Sequence, residues 1–192
     1  MNKNVLVSAA ALAIFWTGSA HAEDFTGPRV ETRIGWDHAN PGDREAARDG
    51  FSYGFAAGYD IAVAESFIVG VESGIDLFDN KRIWTSSTSS FESEAKRDIE
   101  VAARIGTKLS DNFLLYAKAG YSNARFEEVL TVGGTTGTTR TEFTTNLDGI
   151  RVGAGLETKL EGGFFAKSEY RYTNYEQGIS RHQVVAAVGY RF

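Results

Sequence analysis

The chain has 192 residues, with 25 acidic and 20 basic side chains for a net charge of −5, and it contains no cysteine. This length suits one domain, and the missing cysteines exclude disulfides and thiolate metal sites. A mildly acidic chain also lacks the basic surface that nucleic-acid binding requires, so no nucleic acid is expected as a partner.

The first 22 residues have the three parts of a secretory signal peptide. Lys3 supplies a basic start, residues 5–15 are apolar, and Ala-His-Ala at 20–22 precedes the acidic Glu23. A short anchor helix is the alternative, but the apolar run is shorter than the roughly 20 residues that span a bilayer. We therefore predict cleavage after Ala22, which leaves residues 23–192 as the mature domain.

After residue 28 the apolar side chains recur at period two, and no stretch shows the stripe of an amphipathic helix. The chain is therefore predicted to be all-β. The candidate strands are 29–38, 50–61, 66–78, 95–109, 113–126, 146–160, 164–173 and 182–192.

The connections between these strands alternate in length. The short ones are 62–65, 110–112 and 161–163, and the longer, polar ones are 39–49, 79–94, 127–145 and 174–181. This alternation is typical of an eight-stranded antiparallel up-and-down barrel whose long loops all emerge at one end. Both termini then lie at the short-turn end.

A soluble lipocalin-like barrel would show the same alternation, so the makeup of the two faces has to separate the two classes. The polar face combines charged side chains with many glycines, such as Gly58 and Gly74, although glycine weakens a strand. In a narrow eight-stranded barrel, long charged side chains cross the lumen and need small neighbours opposite them. The predicted lumenal charge network comprises Arg33, Glu72, Asp76, Glu100, Arg104, Lys108, Lys118, Arg151, Glu157, Lys167, Glu169, Arg171 and Arg191.

The apolar face is aliphatic or small at mid-strand and aromatic toward the strand ends. Aromatic belts on both sides of an apolar band are typical of the two interfaces of a membrane, so we predict a transmembrane barrel. The belt at the short-turn end contains Tyr59, Phe67, Phe113, Phe164, Tyr190 and Phe192. The belt at the long-loop end contains Trp36, Phe51, Tyr53, Tyr121, Tyr170 and Tyr172.

Three segments of the second half, 152–157 (VGAGLE), 166–172 (AKSEYRY) and 188–192 (VGYRF), resemble the small outer-membrane β-barrel family. This family includes the opacity-type porins and the OmpA transmembrane domain. The resemblance implies the outer membrane of a Gram-negative cell, with outer-membrane lipid and lipopolysaccharide as surroundings. The closing Tyr190 and Phe192 are similar to the signal that the outer-membrane assembly machinery recognises, which makes that machinery an expected partner.

Some outer-membrane barrels are enzymes, and a catalytic site would need a base together with a partner that orients it. Outside the predicted signal peptide the chain has two histidines, His38 and His182, and His182 falls on the lipid-facing side at the long-loop rim. No acidic partner that could orient it lies on the same face. We therefore expect no enzyme activity, no catalytic or metal-binding residues and no cofactor.

The lumenal charges have two interpretations. An ion path usually shows one dominant sign and a wider barrel, whereas the predicted network mixes signs, which favours a closed core of ion pairs. The predicted function is therefore envelope integrity together with surface interaction, and a narrow porin-like channel for small solutes is the alternative.

The long loops are the expected site of partner specificity. Residues 79–94 hold Lys81, Arg82 and Trp84, of which Trp84 resembles a binding anchor for a host or surface ligand. The two basic residues could equally contact lipopolysaccharide phosphates. The threonine-rich segment 131–145 is expected to be solvated coil.

Overall fold

The computed structural model describes residues 25–40, 48–79, 82–85, 89–134 and 137–192. The predicted signal peptide and its cleavage site lie outside these ranges. The described residues contain nine strands: β1 (Gly27–Asn40), β2 (Arg48–Ala62), β3 (Phe67–Asp79), β4 (Arg82–Thr85), β5 (Ser89–Lys108), β6 (Phe113–Gly134), β7 (Gly137–Lys159), β8 (Phe164–Tyr175) and β9 (Ser180–Arg191). In these same ranges no helix is long and apolar enough to cross a membrane.

Eight of the strands form a closed ring in which every neighbouring pair is antiparallel. β3 pairs with β5, and β1 pairs with both β2 and β9. At the seam between the first and last strands, Arg29 lies opposite Arg191, and the Phe192 N–H donates to the Pro28 carbonyl at 3.0 Å. The predicted eight-stranded antiparallel up-and-down barrel is confirmed. Closure leaves the wall without an open sheet edge, which a lipid environment requires.

Burial alternates along the wall strands, with polar side chains inside and apolar side chains outside. Arg151 and Arg171 are fully buried, whereas Val71 and Ile150 are 60% and 71% exposed. A soluble barrel does not expose a continuous apolar band of this kind. The aromatic residues predicted for the two belts lie on the outward face, and Tyr190 packs edge-on against both Phe164 and Phe192.

Three of the strands extend six residues or more beyond their predicted ends. β5 begins at Ser89 rather than at residue 95, β6 continues to Gly134, and β7 begins at Gly137. The prediction that segment 131–145 is coil is therefore wrong for its described residues, because they pair across the β6–β7 hairpin, with Thr131 opposite Arg140. Threonine is β-branched and favours strands, and facing threonines stabilise a ladder.

These extensions form a small sheet above the wall, which we call the projecting sheet: residues 82–85, 89–96, 126–134 and 137–148. Its strand order is β4, β5, β6, β7. Residues 126–134 of β6 alone extend roughly 30 Å at about 3.3 Å per residue. β7 first meets β8 at Gly149, opposite Tyr175, so the described residues show no strand beside 138–148 on that edge.

Candidate functional site

Alternate positions of the wall strands bring charged side chains together in the barrel lumen. Glu72 lies near the centre, where its carboxylate accepts hydrogen bonds from Arg29 Nη2 at 2.7 Å, Lys118 Nζ at 2.9 Å and Lys167 Nζ at 3.3 Å. These three cations come from β1, β6 and β8. One carboxylate thus ties three separate strands of the wall together.

Glu100 and Asp76 form the next layer of the network, closer to the long-loop end of the barrel. Glu100 accepts from Arg33 Nη1 and Arg151 Nη1, both at 2.8 Å, and from Lys118 Nζ at 3.0 Å. Asp76 accepts from Arg33 Nε at 2.6 Å, and Arg171 Nη1 donates to its other oxygen at 3.2 Å. The pairing is charge-assisted throughout, which makes these hydrogen bonds shorter and stronger than neutral ones.

Paired charges also fill both ends of the lumen. At the short-turn end, Arg104 lies 2.8 Å from Asp60 and donates to Glu157 at 3.0 Å, and Arg191 bridges the same two carboxylates at 2.8 and 2.6 Å. At the long-loop end, Asp98 accepts from Tyr175 at 2.6 Å and from Ser122 and Arg151. The network therefore runs the height of the wall.

Twelve of the thirteen residues predicted for the network form buried ion pairs in the lumen. The thirteenth, Lys108, is partly exposed at the short-turn mouth, where its backbone N–H donates to the Ser66 carbonyl at 2.9 Å. The network also contains Arg29, Glu31, Asp60, Asp98, Tyr116, Tyr175 and Arg181. They follow the same two-residue phase as the predicted members, so the alternation that places Glu31 and Asp60 on the polar face extends to the others.

The lumenal glycines provide space for these side chains. A Cβ atom added to Gly74 would lie 2.5 Å from Arg33 Nη2, and one added to Gly58 would lie 2.8 Å from Arg29 Cζ. Both distances are too short for real contacts. Gly58 of β2 and Gly74 of β3 therefore accommodate guanidinium groups that extend from β1, which is the physical reason for the frequency of glycine on the polar face.

The buried charges of the described residues balance, with nine acidic and nine basic side chains. A lumen without a dominant sign has no electrostatic preference for cations or anions. Apart from Asp37, whose carboxylate oxygens have no hydrogen-bond partner among the described residues, these charged side chains form mutual ion pairs, such as Arg29–Glu31 and Arg181–Asp98.

The two histidines lie side by side at the outer rim, because His38 and His182 are opposite each other across β1 and β9. His38 Nδ1 is 2.8 Å from Asp49 Oδ1, and His182 Nδ1 is 2.6 Å from the Tyr170 hydroxyl. Among the described residues, no three histidine, aspartate or glutamate side chains are grouped closely enough to hold a metal ion.

One of the three loop residues predicted to contact a ligand lies outside the described part of the chain. Lys81 lies outside the described residues, while Arg82 and Trp84 belong to β4, opposite Ser93 and Phe91 of β5. Their role in ligand contact stays a prediction. The role of Tyr190 and Phe192 in assembly is likewise a prediction, although both lie at the seam that closes the ring.

A family model for the outer membrane protein beta-barrel domain matches residues 7–192. Among curated proteins, the 31 kDa outer-membrane immunogenic proteins of Brucella melitensis biotype 1 and Brucella suis biovar 1 are each 22% identical over 168 residues, which cover 79% of this chain and 70% of theirs. The chain belongs to the outer-membrane β-barrel family. The predicted family resemblance and outer-membrane location are confirmed.

Two solved structures share the fold. Ail, the attachment invasion locus protein of Yersinia pestis, superposes with a TM-score of 0.61 at 14% identity, covering 87% of this chain and 99% of Ail. Neisserial surface protein A superposes with a TM-score of 0.59 at 17% identity, covering 87% of this chain and 98% of that protein. At these identities the likeness concerns the fold alone.

Proposed function

We propose that this outer-membrane barrel has two non-catalytic roles: its ion-paired wall supports the envelope, and its projecting sheet binds a ligand at the cell surface. The observation that carries the second role is the projecting sheet itself. A barrel that only supports the membrane has no need for strands that continue roughly 30 Å beyond the wall.

The free edge of β7 is the part of the projecting sheet best suited to binding. Residues 139–146 are exposed on both faces, and Phe143 is 52% exposed. Soluble proteins usually protect long edges, because unpaired N–H and C=O groups accept an added strand. This edge therefore fits an extended peptide segment that adds to the sheet through backbone hydrogen bonds.

Three similar proteins support a role at the surface. The Brucella proteins are described as immunogenic, and Ail is described as an attachment invasion protein that has been crystallised with the heparin analogue sucrose octasulfate. From these proteins we take only the idea of a surface ligand for this chain.

Shortening the β6–β7 hairpin tests this role. Glu127 lies opposite Thr144, so replacing residues 128–143 with Asn-Gly joins the two strands through a two-residue turn without changing the register below. We expect bacteria that carry the shortened protein to adhere to cultured epithelial cells no better than bacteria without the protein.

The control is the fold of the shortened barrel, measured by outer-membrane yield and by the gel shift between unheated and heated samples. Both should equal those of the wild type, because the lumenal network lies below the deleted residues. Undiminished adhesion by a correctly assembled, shortened protein would show that the projecting sheet is not the binding element.

A further inference from the structure

The free edge of β7 has a charge pattern that complements itself when a second copy pairs with it in the antiparallel sense. Arg140 and Glu142 lie on one face of the strand, where Arg140 Nε donates to Glu142 Oε1 at 3.1 Å. Thr141 lies between them on the opposite face, together with Thr139 and Phe143. The two charged side chains are 64% and 67% exposed, so water screens their contact and a partner can reach both.

The edge is also regular enough to pair with another strand. Proteins usually protect a free strand edge with proline, lysine or a bulge. Residues 138–146 contain neither proline nor lysine, and their ladder with β6 has no register shift. Five of these nine residues are threonine, and the single arginine and the single glutamate cancel in charge. High β-propensity, low net charge and no proline are typical of segments that pair with copies of themselves.

One register of self-pairing satisfies both charges. Two identical antiparallel strands related by a two-fold axis place one residue opposite itself. With Thr141 opposite Thr141, Arg140 of each copy lies opposite Glu142 of the other, on the same face of the joined sheet. The same register sets Phe143 opposite Thr139, a favourable pair of an aromatic and a β-branched side chain. Centring the pair on Arg140 or on Glu142 would set like charges opposite each other, which is destabilising.

The antiparallel sense determines where the second copy lies. β7 runs from the hairpin tip at Gly137 down to the wall, and copies of a barrel in one membrane share this direction. Two copies side by side in one membrane therefore present parallel strands, which in register set Arg140 beside Arg140. Antiparallel pairing needs a barrel of the opposite orientation, and such a barrel belongs to a second membrane that faces the first.

We propose that the β7 edge pairs with the β7 edge of a second copy in an opposing membrane, so that the protein joins two bacterial surfaces. This pairing rests on the binding role proposed for the projecting sheet, and its partner is another copy of the chain. Residues 138–144 of each copy contribute roughly 23 Å of strand, held by backbone hydrogen bonds and two Arg140–Glu142 pairs. Projecting sheets that overlap over this length hold the rims of the two walls roughly 40 Å apart.

Clustering of vesicles that contain the protein tests the pairing. The full mature barrel is reconstituted into phosphatidylcholine vesicles, and populations labelled with donor or acceptor lipid dyes are mixed, so that energy transfer measures clustering. The acidic variant is Arg140→Glu, the basic variant is Glu142→Arg, and the exchanged variant carries both substitutions. The exchanged variant keeps the net charge of the wild type, which makes it the matched control for a general charge effect.

We expect wild-type vesicles to cluster, and vesicles of the acidic or the basic variant to cluster about tenfold less or weaker still, because the two-fold axis doubles each like-charge contact. Mixing acidic-variant with basic-variant vesicles should restore clustering to within about twofold of the wild type, since opposite charges then face each other throughout this register. The exchanged variant should cluster as the wild type does.

A general attraction cannot explain restoration in the mixture. The chain has a net charge of −5, and one charge reversal changes it by two, so both variants stay negative. The gel shift between unheated and heated samples shows whether each variant is folded. Vesicles with the shortened β6–β7 hairpin should not cluster, because they lack the paired residues.

Wild-type clustering by the acidic or the basic variant alone, or no restoration in their mixture, would overturn the proposal. Clustering by the shortened barrel would also overturn it, because another surface would then join the vesicles. If wild-type vesicles do not cluster while removal of the hairpin still abolishes adhesion to epithelial cells, self-pairing is wrong and the proposed surface role stands.

Discussion

Replacing Arg104 with alanine is expected to destabilise the folded barrel by about 3 kcal/mol. The Arg104 side chain is buried, and its guanidinium lies 2.8 Å from Asp60 and 3.0 Å from Glu157. Removing it leaves two buried carboxylates that share Arg191 as a remaining partner. Equilibrium unfolding in urea from detergent micelles, followed by tryptophan fluorescence, measures the change.

Two matched variants show whether the loss arises from lumenal pairing. Arg140→Ala removes an arginine that is 64% exposed and pairs with Glu142, so its effect should stay below about 1 kcal/mol. Arg104→Lys keeps the charge but lacks the planar guanidinium that reaches two carboxylates at once. Its free energy of unfolding should therefore lie between those of the wild type and Arg104→Ala. If Arg104→Ala lowered the free energy of unfolding no more than Arg140→Ala, the lumenal ion pairs would be screened by water and would not stabilise the wall.

Deleting Phe192 is expected to lower the amount of folded protein in the outer membrane severalfold. Its backbone N–H makes the hydrogen bond to Pro28 that extends the β1–β9 seam, and its ring packs on Tyr190 with a centroid distance of 4.9 Å. Backbone groups left unpaired in lipid cost several kcal/mol each. The resemblance of the closing residues to an assembly signal predicts an additional defect in delivery. Quantitative immunoblotting of outer-membrane fractions measures the yield.

Val188→Ala is the control for this deletion, because Val188 lies on the same outward face of β9 and the substitution leaves the backbone pairing intact. Refolding both variants into detergent separates stability from assembly. If deletion of Phe192 lowers the yield of folded protein more in cells than in detergent, the result supports an assembly signal. Equal yields of the two variants in cells would show that the terminal aromatic residue is not needed for assembly.

The sequence predicts which face of each wall strand points into the lumen. Period-two alternation places Arg33, Glu72 and Arg151 on the lumenal face, and this result does not depend on which strands pair. Their partners could not be predicted. Glu72 meets cations from β1, β6 and β8, and which side chains meet across a lumen depends on the tilt and stagger of the closed ring.

The projecting sheet was missed for a different reason. Residues 139–146 are exposed on both faces, so no apolar alternation marks them as a strand, and their threonines read equally well as a polar loop. The β-bulge of β5, where the register shifts between Ala95 and Arg97, was also missed, because the predicted strand began at residue 95. Alternation identifies a strand only where one of its faces is apolar, and it breaks where a bulge inserts a residue.

Single-channel recording of the wild-type protein in planar lipid bilayers tests the central claim, a lumen closed by its own ion pairs. Nine acidic and nine basic buried side chains, all but Asp37 in ion pairs, predict conductance near the baseline and no steady ion selectivity. A steady, ohmic open pore in the wild type, whose selectivity changes in Arg104→Ala without loss of stability, would contradict the closed core and identify the barrel as a channel.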